Sequence, residues 1–175
     1  MKNSSAVAMS LGCLILGAGV AIAAKSGSPG IDAIRGKPPQ EAAAAALVEA
    51  ERLAGGGSWE LIGVARVYYL SGNKAHGQAI IDRVMAGKTD HNDWQRIGEV
   101  YAQAGENDKA AQFFERSLAA DPKDDTGQAE IGAWYIRIGQ RDKGEELFAK
   151  AFAHNPDEGR HYDRAAEAFL NVAPR

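Results

Sequence analysis

Residues 91–124 repeat themselves in residues 125–158. A shift of 34 positions, without a gap, makes nine pairs identical: Ile97/Ile131, Gly98/Gly132, Tyr101/Tyr135, Gly105/Gly139, Asp108/Asp142, Lys109/Lys143, Phe114/Phe148, Ala119/Ala153 and Pro122/Pro156. Identity at a quarter of positions in register is hard to obtain by chance. A fixed period of this size means stacked supersecondary units, each burying a face against its neighbours.

The spacing inside each unit says what is stacked. Trp94, Ile97, Gly98 and Tyr101 lie at i, i+3, i+4 and i+7, one face of an α-helix. Gly105 breaks that helix, and Ala110, Phe114, Ser117 and Leu118 restart the helical spacing until Asp121-Pro122 stops it. A short turn joins the two helices, so they are antiparallel neighbours. Gly98 and Gly132 leave room for the second helix to approach closely, and Tyr101, Tyr135, Phe114 and Phe148 fill the space between helices. A weaker copy comes first, with Leu61, Val64, Ala65, Tyr68, Gly72, Gly77, Ile81 and Val84 in the corresponding places. It has Thr89 where the others have proline and is one residue short.

The run Trp94-x2-Ile97-Gly98-x2-Tyr101, then Ala110-x3-Phe114, then Pro122, resembles the tetratricopeptide signature, with Ile in place of its Leu. In the next copy Gln128 replaces the Trp and Gly144 the Ala, while Ile131-Gly132, Tyr135, Phe148 and Pro156 keep their places. The resemblance implies an all-α, helical-hairpin solenoid of about three repeats: 58–90 (degenerate), 91–124 and 125–158. Residues 41–57 resemble a leading capping helix, the second helix of an incomplete repeat. Residues 159–175 resemble a closing first helix, with Tyr162, Ala165, Ala166 and Phe169 at helical spacing. Gly55-Gly56-Gly57 ends the leading helix, and Ser58 is the expected N-cap of the next.

In that family, ligands usually lie along the concave surface made by first helices, which implies a protein or peptide partner. The faces left over from packing supply the groove. The first repeat offers Trp59, Ile62, Arg66 and Tyr69, and the second Asn92, Gln95, Glu99 and Gln103. The third offers Thr126, Ala129, Ala133 and Arg137, and the closing helix Arg160, Asp163 and Glu167. Trp59, Ile62 and Tyr69 tilt this face toward recognition, because water-facing helices rarely cluster such residues. Trp94 belongs to the motif face and the core, Trp134 turns toward the neighbouring repeat, and Trp59 is the candidate exposed anchor. A subset of the family grips the C-terminal carboxylate of heat-shock chaperones with Lys and Asn. Ile62 and Arg66 stand at those places, so that clamp is absent.

The first 24 residues differ from the rest. Lys2 is followed by no charge until Lys25, and the small residues Ala21-Ile22-Ala23-Ala24 close the stretch. This is the pattern of a secretory signal peptide, with cleavage after Ala23 or Ala24. The run also has the roughly 20 residues that span a bilayer, so an N-terminal anchor is the alternative. Leu11-Gly12-Cys13 is similar to part of a lipobox, although the apolar run continues past Cys13. Either leader directs the chain to the periplasm, free or anchored to the inner membrane. Residues 25–40, rich in Gly, Pro and Ser, read as a flexible linker.

Chemistry is hard to place in what remains. Without the leader the chain has no cysteine, which excludes disulfides and thiol catalysis. A formal charge of −3 offers no basic field for nucleic acid or for an anionic membrane surface. The histidines His76, His91, His154 and His161 include no i, i+4 pair for a helical metal site. Asp90-His91-Asn92-Asp93 reads as a polar turn that caps the next helix. No catalytic residue, metal ligand or cofactor is therefore expected, and membrane contact only through an uncleaved leader. The competing reading, a periplasmic enzyme or metal-binding protein built on the His/Asp turns, requires those histidines to converge with carboxylates.

Overall fold

The computed structural model describes residues 29–172. The leader with its cleavage site and Cys13, and the last three residues, lie outside the described residues. After a 3-10 turn at Gly30–Ala33 come α1 (Pro39–Ala54), α2 (Ser58–Leu70), α3 (Lys74–Met85) and α4 (His91–Gln103). They are followed by α5 (Asn107–Ala120), α6 (Asp125–Arg137), α7 (Arg141–His154) and α8 (Gly159–Phe169). Among the described residues there is no strand, and the architecture is the all-α hairpin solenoid.

Local chemistry sets the boundaries. Asp90 and Asp93 form a reciprocal capping box at the start of α4, and the Asp124 carboxylate accepts the Gly127 amide at the start of α6. Within the repeats, Gly105 (φ 74°) and Gly139 (φ 86°) take the left-handed conformation that ends a first helix. The following amides, Glu106 and Gln140, then reach back to the carbonyls of Tyr101 and Tyr135 at 2.9 and 2.8 Å. Two boundary expectations change. The helix expected from residue 41 begins at Pro39, because proline suits the first turn, where its missing N–H has no partner to lose. Ser58 is the first residue of α2 and not its cap; Gly57 stands at the cap without a side-chain bond.

Three hairpins carry the fold: α2 with α3, α4 with α5, and α6 with α7. Each closes where small residues meet. A Cβ on Gly98 would lie 2.6 Å from the Phe114 ring, and one on Gly77 would lie 2.8 Å from the Ala65 carbonyl. Gly132 and Gly144 face each other, and a Cβ on Gly144 would lie 2.6 Å from the Gly132 carbonyl. These approaches let the aromatic residues link one repeat to the next. Tyr69 meets Tyr101 edge-on at 5.6 Å, and Phe114 meets Tyr135 in the same way at 5.6 Å. Each buried tyrosine hydroxyl finds a partner on another element: Tyr69 donates to Glu106 of the α4–α5 turn, Tyr101 to Gln78 of α3 and Tyr135 to Glu115 of α5.

First helices α2, α4, α6 and α8 contact one another in sequence, forming one wall of the solenoid. The second helices form the other. The helix α1 belongs to that outer row: its Glu51 pairs with His76 and Arg83 of α3 at 2.9 and 3.1 Å. In α8 the packed stripe is buried His161 and Ala168 with half-buried Ala165 between them. Tyr162 and Phe169, expected on the packed face, are 54% and 49% exposed. The reason is that α8 packs mainly on α6, and among the described residues no second helix covers its motif side.

Candidate functional site

The inner wall encloses a groove of about 400 Å³. From α2 it takes Trp59, Ile62 and Arg66; from α4, Asn92, Gln95, Arg96, Glu99, Val100 and Gln103. Glu130, Ala133, Trp134 and Arg137 come from α6, and Arg164 and Glu167 from α8. Side chains reach the same space from four helices because α2, α4, α6 and α8 stack one on the next along one wall.

The groove has an aromatic end and a polar middle. Trp59 is 59% exposed, and the Arg96 guanidinium lies 3.5 Å from its ring centre while donating to the Trp59 carbonyl at 2.8 Å. Ile62 lies beside it as buried floor. Arg66 donates to Gln103 at 2.7 Å, which links repeat one to repeat two across the opening. Burial also lowers the Arg96 and Arg137 pKa values, so these guanidiniums are the less solvated charges of the site.

At the centre, Gln95 donates to Glu99 at 3.2 Å and to Glu130 at 2.5 Å. Burial, then the neighbouring Glu130 charge, raises the Glu99 carboxyl above its ordinary range; Gln95, Arg96 and the Trp134 indole oppose the rise. Arg164 bridges Glu130 at 3.7 Å and Glu167 at 2.7 Å. The Arg137 guanidinium donates to the Val172 carbonyl, while its Nε is buried without a partner. The site is thus lined by four arginines and three glutamates, one of which favours its proton. Such a surface suits hydrogen-bonding to a polypeptide more than selection of one charge.

Several expected positions differ. Tyr69 is not in the groove: it is 3% exposed, covered by Tyr101 and donating to Glu106, because the α4–α5 turn crosses over the end of α2. Ala129 is 1% exposed and packs with Ala168 of α8, and Thr126 also lies outside the lining. Arg160 and Asp163 line an adjoining depression beside Leu170 and Val172, which shares Arg164 and Glu167 with the groove. Trp94 is half-buried, its ring covered by Arg116 at 3.8 Å. Sequence reasoning missed Arg96, Val100, Glu130, Trp134 and Arg164. All five stand one position from an expected lining residue, so a wider face on each helix would have captured them.

The histidines do not gather. His91 faces Asp124 at 3.6 Å, His161 lies 4.0 Å from Asp125, and His154 is exposed. Among the described residues no group of three or more His, Cys, Asp or Glu could hold a metal ion. No described helix is long and apolar enough to cross a membrane.

Comparison with known proteins agrees with this geometry. The family model described as tetratricopeptide repeat matches residues 101–169. Over those residues the chain is similar to the tetratricopeptide repeat family. A solved structure described as the crystal structure of MamA superposes with a TM-score of 0.52 at 15% identity, covering 75% of this chain and 80% of that one. At that identity the likeness concerns the fold. No curated protein gives a significant match. A tetratricopeptide-like fold has the form of a protein-interaction scaffold, and the concave face formed by α2, α4, α6 and α8 is the surface to which four helices contribute.

Proposed function

We propose that this tetratricopeptide protein is a non-enzymatic scaffold of the bacterial cell envelope that holds a peptide or protein segment in its concave groove. The carrying observation is the pairing of an exposed Trp59, backed by Arg96 and the Ile62 floor, with a polar channel from Gln103 to Glu167. Trp and Arg dominate interface energies, because they bury large areas and desolvate well-aimed donors. In this reading an apolar side chain of the partner covers Trp59, while its backbone runs past Asn92, Gln95 and Arg137. Export rests on the leader alone and makes the periplasm, or the periplasmic side of the inner membrane, the site of action.

The test is affinity capture from the envelope fraction followed by calorimetry with the captured partner. Trp59→Ala should weaken binding by about 2 kcal/mol or more. Arg66→Glu should weaken an acidic partner and spare an apolar one. Gln112→Ala and Glu146→Ala, exposed on second helices, should leave binding unchanged. Binding lost in the latter pair and kept in Trp59→Ala would move the site to the convex face.

A further inference from the structure

Among the described residues, stacking leaves one helix at each end without a hairpin partner, and the two are of opposite kinds. At the start, α1 sits in the row of second helices with no described first helix paired to it. At the end, α8 sits in the row of first helices with no described second helix paired to it. The described residues therefore hold three whole hairpins flanked by the two halves of a fourth.

The repeat register shows what each half lacks. It lays Tyr162, Ala166 and Phe169 of α8 on Trp94, Gly98 and Tyr101 of α4. It lays Ala43 and Ala46 of α1 on Ala110 and Phe113 of α5. In the intact hairpin Phe113 stacks on Tyr101 at 5.4 Å and Arg116 covers Trp94. On α8 only the preceding hairpin supplies partners among the described residues: Tyr162 stacks on Phe152 at 4.6 Å, and the Arg141 guanidinium lies 5.1 Å from the Phe169 ring centre, which leaves both rings half-exposed. Tyr162 is 54% exposed and Phe169 49%, while on α1 Ala43, Ala46 and Leu53 lie open, Leu53 at 61%. Solenoids are expected to end in polar caps, and these two faces are apolar. The last described residue, Val172, turns back toward Arg137 on the groove side.

We propose that the occupant of each face is a second copy of this chain: α8 of one copy docks on α1 of the next, completing a fourth hairpin between them. Size supports the match. The bulky Tyr162 and Phe169 would meet a face of alanines. Ala166 would cross α1 at Ala43, in the small-on-small manner of Gly98 with Ala110 and Gly132 with Gly144. Because the joined faces differ, the contact is heterologous and propagates as a filament or a closed ring.

The full chain is examined by light scattering coupled to size exclusion across a dilution series, with circular dichroism as the check on folding. The wild-type mean mass should climb with concentration through multiples of the monomer. Ala46→Glu blocks α1 and Phe169→Asp blocks α8, and each variant alone should be monomeric. Mixed in equal amounts they should form a dimer and nothing larger, since one retains a free α8 and the other a free α1. Leu53→Lys and Tyr162→Lys repeat the experiment from neighbouring exposed positions, should the first pair disturb folding. Trp59→Ala, in the groove, should leave the association as it is. A wild-type chain that stays monomeric, association that persists in either variant alone, or a mixture of variants that fails to pair overturns the proposal.

Discussion

Glycine-to-alanine exchange in this solenoid should change sign with position, because the hairpin crossings have no room for a methyl group and other helical glycines do. At Gly144 an added Cβ would stand 2.6 Å from both the Gly132 carbonyl and Ile136 Cγ1, and 3.2 Å from the Ile136 amide. Two of those atoms are backbone, so relief requires α6 and α7 to move apart. Overpacking of this kind costs about 1–3 kcal/mol. The helix gains up to about 1 kcal/mol from losing glycine, less near its first turn. Gly144→Ala should therefore destabilise by about 1–2 kcal/mol net, near the upper figure because backbone cannot yield by rotamer change. Gly63 lies inside α2 with no atom within 4 Å of its would-be Cβ. Gly63→Ala should stabilise by about 0.5–1 kcal/mol. Urea denaturation followed by far-ultraviolet circular dichroism measures both, with a shared slope confirming that the same surface is exposed. A Gly144→Ala protein as stable as its parent, or a destabilised Gly63→Ala protein, would refute the account of close approach.

Two carboxyls should move stability with pH in opposite senses. Glu99 is raised chiefly by burial, so the native state holds its proton more tightly than the unfolded chain, and its contribution falls as pH climbs from the ordinary carboxylate range through the raised value. Glu99→Gln, which keeps the acceptor for Gln95, should remove that decline and raise the neutral-pH melting temperature; an unchanged pH profile would count against it. Glu106 is lowered to about 2 by Lys109, then Lys74, with the Tyr69 hydroxyl adding a third bond. Its stabilisation is complete above the ordinary carboxylate range and is lost as pH falls toward about 2, so Glu106→Gln should flatten the acid limb of a melting-temperature profile.

The fold was legible because its packing imposes identity at fixed positions. A hairpin crossing accepts only a small residue, and the gap beside it accepts only a ring, so Gly98, Gly132, Tyr101 and Tyr135 recur at one period. The groove was less legible, since no such constraint acts on a surface facing solvent. In α6, eight of 13 residues are buried, and a helix apolar on nearly all sides offers no polar face to set its phase. Ala129 and Trp134 were therefore hard to order: the first lies under α8, while the indole of the second reaches Glu99. Tyr69 misled for another reason. It occupies the groove-facing turn of its own helix, but the α4–α5 turn, distant in sequence, closes over it. The face of α8 failed likewise, because the motif describes a hairpin and the described residues hold only its first half at α8.

The same economy of positions bears on how the groove can bind. Curvature in a solenoid follows from the small rotation between repeats, so whatever fixes that rotation also fixes the spacing of groove residues on successive helices. Here the rotation is held on both walls. On the outer side Glu51 ties α1 to α3, and Lys143 with Tyr135 ties Glu115 of α5 to the third repeat. On the inner side Arg66 ties α2 to α4 through Gln103, and Gln95 ties α4 to α6 through Glu130. Exposed polar links are individually weak. Yet each spans two repeats, and the buried edge-on pairs Tyr69–Tyr101 and Phe114–Tyr135 lie between the same walls. A partner laid along the groove would meet side chains already spaced by these links, and less ordering would be charged against its binding. The links at the groove mouth, Arg66 to Gln103 and Gln95 to Glu130, are also the donors and acceptors that a bound backbone would exchange with. Binding would thus replace inner bonds while the outer ones keep the repeats in place.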